Sequence, residues 1–264
     1  MLGLNLQGNN IKSEGAQYLA EALKECTNLV VVLFDEGVLN DIGDETFSDC
    51  TALQQVAIPS SVTMLGNHAF RGCINLAEVQ LNEGLQIIGG YGAFCDCRAL
   101  RQVTIASSVT KLAIGTFEYC TNLAEVQLND GLQIIERSAF HDCTSLRSVT
   151  VPSSVAKLEQ LAFWSCANLT EMILLGGEKL LNQGFFDRGL SSEDGVLNQL
   201  RIDEMISPNR GYTYAFCDCP LTTIKISVPR ALSERMARLP QECRLSIEGR
   251  IRDMRRLELT QDDK

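Results

Sequence analysis

The residues that could do chemistry in this chain of 264 residues are two histidines, eleven cysteines and a surplus of carboxylates. A histidine acts as a base when a hydroxyl or thiol lies within hydrogen-bond reach and a third group orients it. His68 and His141 occupy different points of the local pattern around them, and no serine or cysteine recurs beside them as nucleophile to their base. Cys95 with Cys97 and Cys217 with Cys219 form two Cys-x-Cys pairs that invite zinc. Such a site needs all its sulfurs about 2.3 Å from the metal, and therefore both pairs in one place. Asn168-Leu169-Thr170 fits a glycosylation sequon, and Arg250, Arg252, Arg255 and Arg256 form a basic cluster. What any of these can do depends on the elements that position them.

Those elements repeat. The stretch from Cys73 to Gly89 is nearly copied from Cys120 to Glu136. The frame Phe-x-x-Cys-x-x-Leu recurs at Phe47/Cys50/Leu53, Phe70/Cys73/Leu76, Phe94/Cys97/Leu100, Phe117/Cys120/Leu123, Phe140/Cys143/Leu146 and Phe163/Cys166/Leu169. Its step is 23 residues, once 24. A period of this size marks a solenoid, whose units bury their apolar faces on their neighbours. The frame cysteines then form a ladder between buried Phe and Leu and are expected to be reduced thiols. The Cys-x-Cys pairs fall several coils apart, on the order of 20 Å at about 4.8 Å per coil, which opposes a shared metal. Asn28, Asn75, Asn122 and Asn168 all precede the strand leucine, so the sequon reads as a turn residue.

Each regular unit, such as the one whose strand begins at Leu76, has a strand with period-two alternation, a Pro-Ser-Ser or Asn-Glu/Asp-Gly turn, a shorter apolar run and a segment carrying Phe and Cys. That last segment is predicted to be a short helical turn, with Phe and Cys three apart on one face. The residue before Phe is small: Thr46, Ala69, Ala93, Thr116, Ala139 or Ala162. Residues 1–41 read as a strand, turn and helix that begin the stack, with helical spacing at Gly15 to Leu23. Residues 42–175 are the regular repeats, and 176–227 are degenerate ones in which the frame returns at Phe216. Residues 228–264 are expected to cap the stack with a helix from Pro229, a strand around Arg244 to Ile247 and a helix carrying Ile251, Met254 and Leu257. The whole is expected to be one elongated domain.

The frame resembles the BspA-type leucine-rich repeat, and the first unit, LGLNLQGNNIKSEGAQYLAEAL, resembles ribonuclease-inhibitor-like leucine-rich repeats. The resemblance implies an α/β repeat solenoid. This is a right-handed leucine-rich-repeat coil with a parallel β-sheet, short helical turns on the other side and a helical C-terminal cap. It implies surface, adhesion or interaction roles and no catalysis.

With the apolar strand residues inward, the sheet displays Gln55, Glu78, Gln102, Glu125, Ser148 and Glu171 in one column. Gln80, Thr104, Gln127 and Thr150 stand in the next. These ten are the candidate partner-binding residues, although exposed strand positions are polar in any case. The leading reading is a non-catalytic scaffold for protein–protein recognition. The alternative is a cell-surface adhesion or glycan-binding fragment of a longer protein. An enzyme comes third and would need a convergent pocket of titratable groups.

A net charge of −10 and a pI near 4.8 disfavour nucleic acid and anionic membranes and favour a protein partner with a basic surface. No cofactor or metal is expected, and the chain is expected to be a monomer. No run of 18 apolar residues and no basic-then-apolar leader stands in the chain as given, so a cytoplasmic location is expected. The chain begins inside a repeat-like run, which leaves an upstream segment open.

Overall fold

The computed structural model describes residues 2–5, 29–33, 40–175, 215–216, 218–228 and 257–261. Among them the strands are, in chain order, β1 (Leu2–Asn5), β2 (Leu29–Leu33), β3 (Asp41–Ile42), β4 (Gln55–Ile58), β5 (Met64–Leu65), β6 (Glu78–Leu81), β7 (Ile87–Tyr91) and β8 (Gln102–Thr104). They continue as β9 (Lys111–Ile114), β10 (Glu125–Gln127), β11 (Ile134–Ile135), β12 (Ser148–Val151), β13 (Lys157–Leu158), β14 (Glu171–Leu174), β15 (Thr223–Val228) and β16 (Leu257–Gln261). Each regular coil contributes one strand to a first face (β4, β6, β8, β10, β12 and β14) and another to a second (β3, β5, β7, β9, β11 and β13). All pairings are parallel, because every coil runs in the same direction as the one before. The structure is a parallel-strand β-solenoid of the leucine-rich-repeat type with about six turns.

The shorter apolar runs, read from the sequence only as apolar, form a continuous six-stranded sheet in the order β13-β11-β9-β7-β5-β3. The first face is interrupted. Its ladders run β1-β2-β4-β6, then β8-β10, then β12-β14-β15-β16. The one 24-residue step is absorbed in the second sheet, where Ile88 pairs with Leu112 and Tyr91 with Ile114, so three residues span what two span on the neighbour. This is a β-bulge, and Gly89 takes the positive φ of +65° that the extra residue imposes.

The expected helical turns are not there. No helix occurs among the described residues, and the Phe–Cys segments are turns with left-handed residues two before and two after each Phe. For the coil of Phe47 these are Glu45 (φ 52°) and Asp49 (φ 58°); for that of Phe140 they are Ser138 (57°) and Asp142 (56°). The alternation turns backbone donors sideways, toward the adjacent coil. Glu45 N donates to Asn67 O, Phe47 N to Ala69 O and Asp49 N to Arg71 O, at 2.6–2.7 Å. An α-helix would spend those donors within the segment. The short side chains Asp, Ser and Gly at most of these positions tolerate left-handed φ at little cost, and that composition was the overlooked signal.

The core is the frame itself. All six Phe, Cys and Leu triplets are at most 1 % exposed. The Phe rings stack in a column at 4.9–5.6 Å, ending with Phe163 on Phe216, which brings the returning frame directly onto the last regular coil. The residue before Phe is small because it must be: Ala69, Ala93, Thr116, Ala139 and Ala162 are wholly buried between coils. Turn glycines answer to the same closeness. A Cβ on Gly84 or Gly131 would stand 2.1 Å from Ser60 O or Ser107 O of the preceding coil.

At the chain ends, β1 bears out the first predicted strand and pairs with β2. The helix predicted for 15–23, that from Pro229 and the strand around Arg244 to Ile247 lie outside the described residues. Leu257, read as part of a terminal helix, instead begins β16, whose parallel ladder with β15 extends the sheet and supplies the backbone partners that a helix would not.

Candidate functional site

The strand pattern leaves one side of each first-face strand in the core and the other facing out. Val56, Val79, Val103, Val149 and Met172 point inward and are buried. Their neighbours place all ten candidate residues on the outer face, with Glu78, Gln80, Gln102, Thr104, Glu125, Gln127 and Ser148 exposed and Gln55, Thr150 and Glu171 half-buried. Parallel register aligns them across coils: Gln55 with Glu78, Gln102 with Glu125, Thr104 with Gln127, and Ser148 with Glu171.

Side-chain bonds hold parts of this face in place. Gln80 Nε2 donates to Glu78 Oε1 at 3.0 Å, and Thr104 Oγ1 donates to Gln127 Oε1 at 3.2 Å. Glu171 is engaged by Lys225 Nζ at 2.5 Å, a partner supplied 54 residues later and not anticipated from the repeats. Its charge is therefore matched, whereas Glu78 and Glu125 carry the acidic character of the centre.

Between β10 and β12 the ladder opens, and Val126 is only half-buried, unlike its counterparts in the neighbouring coils. A depression of about 610 Å³ lies there, over β8, β10 and β12. Six of the ten candidates line it: Gln102, Thr104, Glu125, Gln127, Ser148 and Thr150, with Val103, Val126 and Leu128 forming an apolar floor. Gln55, Glu78, Gln80 and Glu171 lie on the same face beyond its rim.

The other chemical candidates fall elsewhere. Cys97 points into the core with its thiol donating to Phe70 O at 3.2 Å, while Cys95 two residues earlier is half-buried on the outer side. Alternation thus splits the pair, and Cys217 lies outside the described residues. Burial first, then the nearby Glu118, pushes the Cys95 thiol up to about 11, so it is a poor nucleophile at neutral pH. Among the described residues no group of three or more His, Cys, Asp or Glu side chains could hold a metal ion. Asn75, Asn122 and Asn168 stand in turns, and each donates Nδ2 to a carbonyl of the preceding coil at 2.7 Å, a bond between coils rather than within the turn. The arginine cluster at 250–256 lies outside the described residues.

His68 Nδ1 is buried with no hydrogen-bond partner among the described residues. His141 is held on both sides, Nδ1 by Glu118 Oε1 at 2.7 Å and Nε2 by Asp142 Oδ2 at 3.2 Å, and its ring stacks on Trp164 at 4.4 Å. Trp164 Nε1 in turn donates to Asp218 at 2.9 Å. In this cluster Tyr119 packs its ring on His141 at 5.1 Å, and among the described residues neither imidazole nitrogen has a hydrogen bond to a hydroxyl or thiol that would make it a nucleophile's base. Sequence reasoning missed it, although His141 and Trp164 follow Phe directly in successive frames and so must meet.

A model of the BspA type leucine rich repeat region matches in six copies, spanning residues 5–120, 40–170 and 90–194. The chain belongs to the BspA-type leucine-rich repeat family. Members of this family are commonly interaction or surface proteins. Similar solved structures include a leucine-rich repeat protein from Bacteroides ovatus at 17 % identity, covering 77 % of this chain and 51 % of that one, TM-score 0.48. Another is the T. pallidum leucine rich repeat protein at 22 %, covering 82 % and 84 %, TM-score 0.39. A third is a leucine rich cell surface protein from Faecalibacterium prausnitzii at 20 %, covering 76 % and 73 %, TM-score 0.39. The chain spans about half the length of the Bacteroides ovatus protein. No curated protein matches it.

Proposed function

We propose that this BspA-type solenoid is a non-catalytic scaffold that binds a protein partner through the outer face of its first sheet, centred on β8, β10 and β12. The observation that carries the reading is the depression of about 610 Å³, because it gathers six polar side chains around an apolar floor. Polar groups that fix orientation around a small desolvated centre are what a recognition site needs. The partner presents a basic surface there, since Glu125 on the rim and Glu78 beside it add to a chain of net charge −10.

The test is affinity capture by the full chain from its native cell, repeated with Glu78→Arg plus Glu125→Arg and with a control, Gln86→Arg plus Gln133→Arg, which places new charge on exposed positions immediately before strands β7 and β11 of the other sheet. A protein retained by wild type and control but lost by the glutamate reversal supports the assignment. Retention by the reversed variant and loss by the control would move the binding surface to the second sheet.

A further inference from the structure

Just before each strand of the first face, one carbonyl normally accepts two backbone N–H groups from the next coil. Gln54 O takes those of Ala77 and Glu78, Arg101 O those of Ala124 and Glu125, and Arg147 O those of Thr170 and Glu171, at 2.8–3.3 Å. Ala124 O, at the seam between β10 and β12, receives neither the Arg147 nor the Ser148 N–H and accepts no hydrogen bond among the described residues. It lines the depression. Beside it Glu125 is exposed, with no ion pair and no side-chain hydrogen bond among the described residues. The seam between β6 and β8 has the same open carbonyl at Ala77, but there Gln80 already engages Glu78.

The chain itself shows what such a carboxylate takes. Glu171, at the same frame position two coils on, meets Lys225 Nζ at 2.5 Å, and Lys225 stands on the next strand, opposite Ile173. Thr150 follows Ser148 as Lys225 follows Thr223, so the place that Lys225 holds for Glu171 is held for Glu125 by a short, uncharged side chain. Arg101 and Arg147, which precede Gln102 and Ser148, neither line the depression nor pair with Glu125. A carboxylate and a carbonyl thus stand open together where the chain supplies no cation.

We propose that the depression takes the guanidinium of an arginine side chain of the protein partner, an inference that rests on the reading of this face as the recognition surface. Glu125 accepts two of its N–H groups side by side, Ala124 O accepts a third, and the aliphatic stem lies on Val126 and Leu128. A guanidinium spreads its donors in a plane and sheds water readily, which suits acceptors set apart on an apolar floor, whereas an ammonium is a compact and strongly hydrated point charge.

Heteronuclear NMR titration of the full chain with Nα-acetyl-argininamide tests the inference, with the citrulline analogue as its uncharged isostere and the lysine analogue as the other cation. The arginine probe is expected to give saturable shifts of the Glu125, Val126, Gln127 and Ser148 amides at millimolar concentration, with the lysine probe roughly tenfold weaker and the citrulline probe silent. Glu125→Gln removes the charge and keeps the shape, and Thr150→Lys puts the chain's own cation where Lys225 stands in the later coil. Each is expected to weaken the arginine probe by about tenfold or more, with the rest of the spectrum unchanged as the check on folding; if Thr150→Lys is unstable, Glu125→Gln still decides. No saturable shift, a lysine or citrulline probe as tight as arginine, or arginine binding unchanged in Glu125→Gln overturns the anchor. Any of these beside a partner still captured by wild type and lost by the Glu78 and Glu125 reversal strikes the arginine alone and leaves the scaffold reading standing.

Discussion

Cys120 Sγ donates to Phe94 O of the preceding coil at 3.2 Å, while Cys97 N fills the second acceptor site of the same carbonyl at 3.3 Å. The bond repeats up the stack, from Cys73 to Phe47 and on to Cys219 to Phe163, at 2.9–3.2 Å. The frame therefore asks for more than a small apolar residue: it asks for one with a weak donor of this length. Cys120→Ala is expected to cost about 1–2 kcal/mol in urea denaturation, from lost packing and a lost bond. Cys120→Ser is expected to cost no less, since a hydroxyl on a shorter bond is buried where the thiol sits. An alanine variant as stable as wild type would sink the role given to the thiol.

The Phe column should dominate the stability of the stack. Phe117 is fully buried between Phe94 and Phe140 at 5.6 and 5.4 Å, so Phe117→Ala is expected to cost about 3–5 kcal/mol. Thr104→Ser, on the exposed face, keeps the hydroxyl that meets Gln127 and should stay within about 0.5 kcal/mol. Equal denaturation midpoints would invert the assignment of inside and outside.

Burial, the leading cause in each case, raises the pKa of Cys73, Cys97, Cys120, Cys143 and Cys166 above the ordinary thiol value. A folded value above the unfolded one means that the stabilisation is whole below about pH 8.5 and is lost as pH rises toward the folded values, at about 1.4 kcal/mol per pH unit for each thiol. Stability should thus fall steeply on the alkaline side. Cys120→Ala should flatten that fall by one thiol's share; an unchanged alkaline slope would show that the ladder is not its source.

On the acid side the sign reverses at Glu83. Its carboxylate accepts from Ser107 Oγ at 2.7 Å and from the backbone N–H groups of Ser107 and Ser108 at 3.0 and 3.1 Å, and these bonds, the Ser107 hydroxyl first, hold its pKa below the usual carboxylate value. A depressed folded value gives stabilisation that is present above the unfolded pKa and disappears as pH falls through the folded one. Glu83→Gln should therefore melt below wild type at neutral pH, with the two curves meeting in acid. A gap that persists at low pH would assign the loss to something other than charge.

The period, the buried triplets and the outward stripe are legible in the residues alone, because each comes from a side chain's own type and its place in a fixed frame. Phe47, Cys50 and Leu53 recur in register with their copies, and only a stacked coil can bury them all. How the coil turns is not legible there. The spacing of Phe and Cys suits a helical turn and a pair of left-handed turns equally well, and the choice went to the turns because those send Glu45, Phe47 and Asp49 N–H groups to acceptors on the next coil, which no single repeat contains. The same holds for the open seam between β10 and β12, the Lys225 that answers Glu171 and the Trp164 that covers His141. These are relations between coils, fixed by where a neighbour's atoms stand once the coils are stacked.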